Sequence, residues 1–164
     1  MEKALDGKGK VAMISGAEIS VYVTRRQKIL ERLKKKREIK IVEDIRGGHD
    51  NEKVCDLVKD LLNRRSDIRG IFVTGVGVKG AAKAVKELNL VGKVKIICFD
   101  FNKEIFELIK EGIIYAAIGQ DPFGQGHDPI VYLYNYLVTN KKPESEIIWT
   151  RTDVVNIKNV DDLI

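Results

Sequence analysis

Gly70-Ile-Phe-Val-Thr74-Gly-Val-Gly77-Val-Lys-Gly80-Ala-Ala-Lys-Ala-Val85-Lys-Glu-Leu-Asn-Leu90-Val-Gly-Lys-Val94-Lys-Ile-Ile-Cys98-Phe-Asp100 decides the fold. Its two ends, Gly70–Thr74 and Val94–Phe99, are short apolar runs with strand character, and the stretch between them carries helical spacing. The first run breaks on a glycine-rich turn and the second on an acidic residue. Strand, helix and strand in about thirty residues is a βαβ unit, which implies parallel pairing.

The same alternation continues in both directions. Lys10–Ser15 and Ile39–Ile45 read as strands upstream, and Ile114–Ile118 as a strand downstream. Several are β-branched on both faces, as strands buried between two helix layers are. Val54, Leu57, Val58, Leu61 and Leu62 form one helical stripe, capped by Asp50 or Asn51 with Glu52 in the first turn. Ile29, Leu30 and Leu33 form a second stripe. Ile105, Leu108 and Ile109 form a third, closed by Gly112. The expected fold class is therefore α/β: a doubly wound open parallel sheet of five strands, ordered 2-1-3-4-5, with helices on both faces. In such sheets ligands bind beyond the carboxyl ends of the strands, so the loops at 16–24, 46–50, 75–80, 100–103 and 119–123 are where function is expected.

Past the fifth strand the pattern changes. Asp121-Pro122 and Asp128-Pro129 each resemble a cap followed by a first-turn proline. Either a helix begins at Pro122 and is kinked by Pro129, or it begins at Pro129; both readings end near Val138. Asn140-Lys-Lys-Pro143 is a turn, Ile147–Val155 reads as extended, and the remainder is a polar tail.

Composition narrows the class. The chain has 164 residues, 44% hydrophobic and 32% charged, enough for one domain with a substantial core. No apolar run approaches the ~20 residues of a membrane span. The amino-terminal residues lead straight into the first strand without a secretory leader. Net charge is +5, and the densest basic cluster, Arg32 to Arg37, closes an amphipathic helix, where cations suit the negative end of the dipole. It lacks the stacking aromatics or reading helix of a nucleic-acid site. Cys55 lies on a helix and Cys98 in an apolar strand; neither has metal-ligand spacing to another Cys or His. Two unpaired thiols favour a reducing cytoplasm.

The strongest literal motif is Gly75-Val-Gly77-Val-Lys-Gly80, a G-x-G-x-x-G between strand and helix, with Asp100 at the distance of a ribose-binding carboxylate. That motif supports a dinucleotide-binding domain of an oxidoreductase. It stands, however, in the third strand–helix unit rather than the first, and the chain offers only His49 and His127 for hydride chemistry. Neither a catalytic residue nor a cofactor is expected.

Three segments carry a different resemblance. They are Arg25-Arg-Gln-Lys-Ile29-Leu-Glu-Arg-Leu33, then Val94-Lys-Ile-Ile-Cys-Phe99-Asp100, and Gly112-Ile-Ile-Tyr-Ala-Ala-Ile-Gly-Gln120-Asp121-Pro122-Phe-Gly-Gln125-Gly126. With Gly70-Ile-Phe-Val-Thr74 they resemble, in order and over nearly the whole chain, the carboxyl-terminal lobe of type I periplasmic sugar-binding proteins and of lac-repressor-type effector domains. The resemblance implies a sugar ligand held by Asp100, Arg25 and Gln120. A carboxylate, a planar donor fork and an amide suit vicinal hydroxyls, which both donate and accept. It adds Thr74 and Gly75 from the third loop and His49 from the second. Two departures stand out: the third loop lacks the family's Asn or Asp, and His49 stands where many members place an aromatic ring.

The resemblance also implies a domain plan. Residues 1–9 are a linker from an amino-terminal lobe not contained in this sequence, and 10–121 form the ligand-binding lobe. Residues 122–145 are a helix packing on the other lobe, and 146–164 the final crossover strand and tail. The main functional expectation is the effector domain of a cytoplasmic transcription regulator, touching DNA only through a segment outside this chain. The alternative is an extracytoplasmic solute-binding protein of a sugar transporter. In either case the apolar 122–138 helix, with its usual cover missing, is expected to self-associate or to fold over the binding face.

Overall fold

The computed structural model describes residues 1–15, 20–35, 38–46 and 50–163. Strands β1 (Gly9–Ser15), β2 (Ile39–Arg46), β3 (Ile68–Val73), β4 (Lys95–Phe99) and β5 (Ile114–Gly119) alternate with helices α1 (Ser20–Lys34), α2 (Asn51–Arg64), α3 (Val78–Glu87) and α4 (Lys103–Lys110). After β5 come α5 (Pro122–Thr139), β6 (Asp153–Asn156) and a short 3-10 turn at Val160–Leu163. The sheet order is β2-β1-β3-β4-β5-β6. All pairings among the first five strands are parallel, and β6 joins the β5 edge antiparallel. The sheet therefore has one strand more than the five expected in it, because part of the segment read as the final crossover strand joins its β5 edge.

Two apolar layers hold the sheet. Ala12 and Ile14 of β1 face a cluster built from α2, α3 and α4, including Val58, Leu61, Val85 and Ile109. The alternate residues Val11 and Met13 face a second cluster, with Leu33 of α1 and the partly buried Ile29 and Leu30. Side chains that alternate along a strand thus serve both layers. Met1, Ala4 and Leu5, from the segment read as a linker, pack on the second cluster too. Asp50 caps α2, its carboxylate accepting from the Glu52 amide at 2.9 Å. The left-handed Gly112 follows α4, as the sequence indicates.

Two glycines of the G-x-G-x-x-G motif are explained by packing. Gly77 sits at φ +98 directly before α3, and a Cβ there would lie 2.9 Å from Val54. A Cβ on Gly80 would lie 2.2 Å from the Asn51 carbonyl oxygen and 3.0 Å from the Cys55 amide nitrogen. These glycines let α3 press against α2. Gly80→Ala should therefore lower stability by about 1–3 kcal/mol despite alanine's better helix propensity, because backbone must move. Urea unfolding of the chain measures this, and an unchanged midpoint would contradict the packing role.

The α5 helix starts at Pro122, capped by Asp121, whose carboxylate accepts from the Gly124 amide at 3.0 Å. Pro129 lies inside it and does not end it. Of its eighteen residues only Gly124 is buried. The fold-back over the binding face offered as one expectation does not occur: Phe123, Ile130, Leu133 and Leu137 all stand exposed. The extended segment expected at Ile147–Val155 forms a strand only from Asp153, and Ile147, Ile148 and Trp149 are exposed.

Candidate functional site

The carboxyl ends of β1, β3, β4 and β5 converge, and four of the six expected site residues meet there. Arg25 comes from the second turn of α1, Thr74 follows β3, Asp100 follows β4 and Gln120 follows β5. Arg25 Nη1 donates to the Thr74 carbonyl at 3.1 Å, and Nη2 donates to Gln120 Oε1. Gln120 Nε2 in turn donates to Asp100 Oδ1, which fixes which way its amide points. Asp100 Oδ2 lies 3.9 Å from Arg25 Nη1, closing the ring of contacts.

Local structure places each group. Asp100 adopts φ +61, a left-handed conformation that aspartate tolerates better than most residues and that turns the chain sharply out of the sheet. Its amide donates to the Ile118 carbonyl at 2.8 Å. Phe101 then lies over Gly119, where a Cβ would meet its ring at 2.2 Å, and packs on Phe106 with ring centroids 5.2 Å apart. Asn102 caps α4, accepting from the Ile105 amide at 3.0 Å. Asp100 is thus relieved of capping, and its carboxylate is 62% exposed. The Arg25 side chain is only 13% exposed, its guanidinium 4.6 Å from the centroid of the Phe99 ring. Neighbouring Arg26 pairs with Asp44 of β2 instead.

Thr74 has a different part from the one expected. It is wholly buried, its hydroxyl 3.4 Å from the Ile14 carbonyl and its own carbonyl taken up by Arg25. It stands behind the site and holds Arg25. Gly75 is half-buried and lines a cleft of about 280 Å³ that opens on the α3 side of Asp100. His49 lies outside the described residues. Phe99 as an arginine platform and Asn102 as a cap escaped the sequence reading. Only the adjacency of Phe99 to Asp100 hinted at the first. Among the described residues no group of three His, Cys, Asp or Glu side chains could hold a metal. No helix among them is long and apolar enough to cross a membrane.

The doubly wound sheet thus presents a carboxylate, an amide and an arginine at its strand ends, the edge where ligands bind in folds of this class. The model of the periplasmic binding protein domain matches residues 1–142, and the chain belongs to that family. The D-allose-binding periplasmic protein of Escherichia coli (strain K12) is 29% identical over 116 residues, 70% of this chain and 37% of that protein. Among solved structures, AraP, an arabinose binding protein from Geobacillus stearothermophilus, superposes with a TM-score of 0.89 at 29% identity. All of this chain and 59% of AraP are covered. A sugar ABC transporter sugar-binding protein from Bacillus halodurans gives a TM-score of 0.91 at 26% identity, with 100% and 60% covered. The chain thus spans less than two thirds of each relative's length.

Proposed function

We propose that this chain is one lobe of an extracytoplasmic sugar receptor serving a membrane transporter, and that it catalyses nothing. The observation that carries this reading is the ring formed by Arg25, Gln120 and Asp100 at three strand ends. Vicinal hydroxyls entering it would donate to the Asp100 carboxylate and accept from Arg25, while Gln120 does both. A second lobe would close over the ligand about a hinge, and closure would be the signal to the transporter. In that arrangement residues 122–145 pack on the second lobe.

The transporter reading displaces the regulator reading for a stated reason. The relatives above are named as periplasmic or transporter sugar-binding proteins, which favours the receptor. The dinucleotide reading loses its support as well, because Gly77 and Gly80 are used in helix packing. A thermal-shift screen of monosaccharides and nucleotides against the two-lobed protein containing this chain tests the proposal. A cognate sugar at about a hundredfold its Kd should raise Tm by roughly 5 °C or more. A shift with NAD or NADP and none with any sugar would overturn it.

A further inference from the structure

Arg25 and Arg26 are neighbours on α1, so about 100° of helix rotation separates their side chains. Arg25 turns to the strand ends of the site, and Arg26 turns to β2. There its Nε and Nη2 both donate to Asp44 Oδ2, the first at 2.5 Å, and both side chains are partly buried. Asp44 Oδ1 is buried and has no hydrogen-bond partner. An unpaired buried acceptor costs stability, which offsets what the ion pair contributes to the fold. The apolar anchors Ile29, Leu30 and Leu33 sit in the carboxyl-terminal half of α1. Arg26 ties down the amino-terminal half, the half that carries Arg25.

We infer that Asp44 is a positioning residue for sugar binding: by holding Arg26 it fixes the point on α1 from which Arg25 reaches the site. This rests on the sugar reading above and extends the site's support to the edge strand. The Arg25 guanidinium has to meet the Thr74 carbonyl and Gln120 Oε1 at once. A helix shift of about 1 Å forfeits one of these contacts or forces the side chain out of its rotamer. Both Arg26 donors converge on one carboxylate oxygen, so the pair asks for a cation at that point more than for a planar fork. The effect is exerted from a distance. β2 is the sheet edge, Gln120 follows β5, and β1, β3 and β4 lie between them. At about 4.8 Å per strand that is roughly 19 Å, so Asp44 influences Gln120 through Arg26, α1 and Arg25.

The test is calorimetry with a cognate sugar on the two-lobed protein containing this chain, with the Gln120 side-chain 1H–15N signals followed before sugar is added. Asp44→Asn and Arg26→Gln should each bind about fivefold to fiftyfold more weakly, and the double variant no more weakly than the worse single one. Arg26→Lys keeps the cation and should stay within about threefold of the wild type. In unliganded Asp44→Asn the Gln120 signals should already be displaced, which a local loss of packing at β2 would not do. Unliganded melting temperatures report on folding, and Arg26→Gln carries the same test should Asp44→Asn fail to fold. Wild-type affinity in a folded Asp44→Asn or Arg26→Gln would overturn the inference, as would weakened binding with the Gln120 signals unmoved, or losses that add in the double variant. Binding of no sugar by the wild type would overturn the sugar reading itself, and this inference with it.

Discussion

Replacing Asp100 with alanine in the two-lobed protein should weaken sugar binding by about 2–5 kcal/mol, roughly 30-fold to several thousandfold in Kd. Two losses combine. The ligand's hydroxyls forfeit a charged acceptor, and Arg25, only 13% exposed, keeps its charge while a carboxylate 3.9 Å away disappears. Gln120 Nε2 also loses the oxygen it donates to. Alanine tolerates φ +61 poorly, so a second variant is needed to separate folding from affinity. Asp100→Asn accepts that conformation and keeps an oxygen for Gln120. It should fold like the wild type and still bind at least tenfold more weakly, as calorimetry with a cognate sugar would show. Wild-type affinity in both variants would remove Asp100 from the site.

The second large effect concerns the chain by itself, which should run as a dimer or larger species at micromolar concentration. In α5, Asp128 is the only residue with a formal charge at neutral pH, in a chain that is 32% charged. Ile130, Leu133, Leu137 and Val138 are 58–73% exposed, and Trp149 nearby reaches 81%. A soluble monomer seldom leaves a continuous apolar patch much beyond several hundred Å² in water. The same patch on a second copy is the nearest cover, and a two-fold pairing of helices with a single charge each carries little like-charge penalty. Light scattering coupled to size exclusion measures this, and Leu133→Glu with Leu137→Glu should shift the species to monomer. A monodisperse wild-type monomer at about 100 µM, far above the concentration at which such a face should pair, would contradict it.

The sheet was legible in the sequence because its signal is local. Runs such as Val94–Phe99 can be buried only between two layers, and Asp50 and Gly112 mark helix ends by their own chemistry. That Arg25, Asp100 and Gln120 meet was legible for a related reason, since a doubly wound sheet sends the residues after its strands to one edge. What failed depended on contacts between distant segments. Gly77 and Gly80 have the spacing of a phosphate loop, yet their reason is the α2 helix beside them, the Val54 side chain for Gly77 and the Asn51 and Cys55 backbone for Gly80. Thr74 has a hydroxyl suited to a sugar, but the β1–β3 pairing buries it against Ile14. Asp121-Pro122 and Asp128-Pro129 look alike as helix starts, and nothing local says which of the two begins the helix. The thiols carry no information about compartment. Cys55 and Cys98 are both buried, and burial, with the Asp100 charge adding to it, pushes the Cys98 thiol up to about 12. A thiol so protected stays reduced and inert in either compartment.

The central claim is that the strand-end ring of Arg25, Gln120 and Asp100 grips a sugar. The most direct measurement is a sugar titration of the two-lobed protein followed through the side-chain 1H–15N signals of Arg25 and Gln120, assigned with Arg25→Lys and Gln120→Glu variants. Both signals should shift together and saturate at the Kd found by calorimetry, because the incoming hydroxyls must replace the contacts these groups now make with each other. A cognate sugar that saturates the protein while both signals stay fixed would contradict the account.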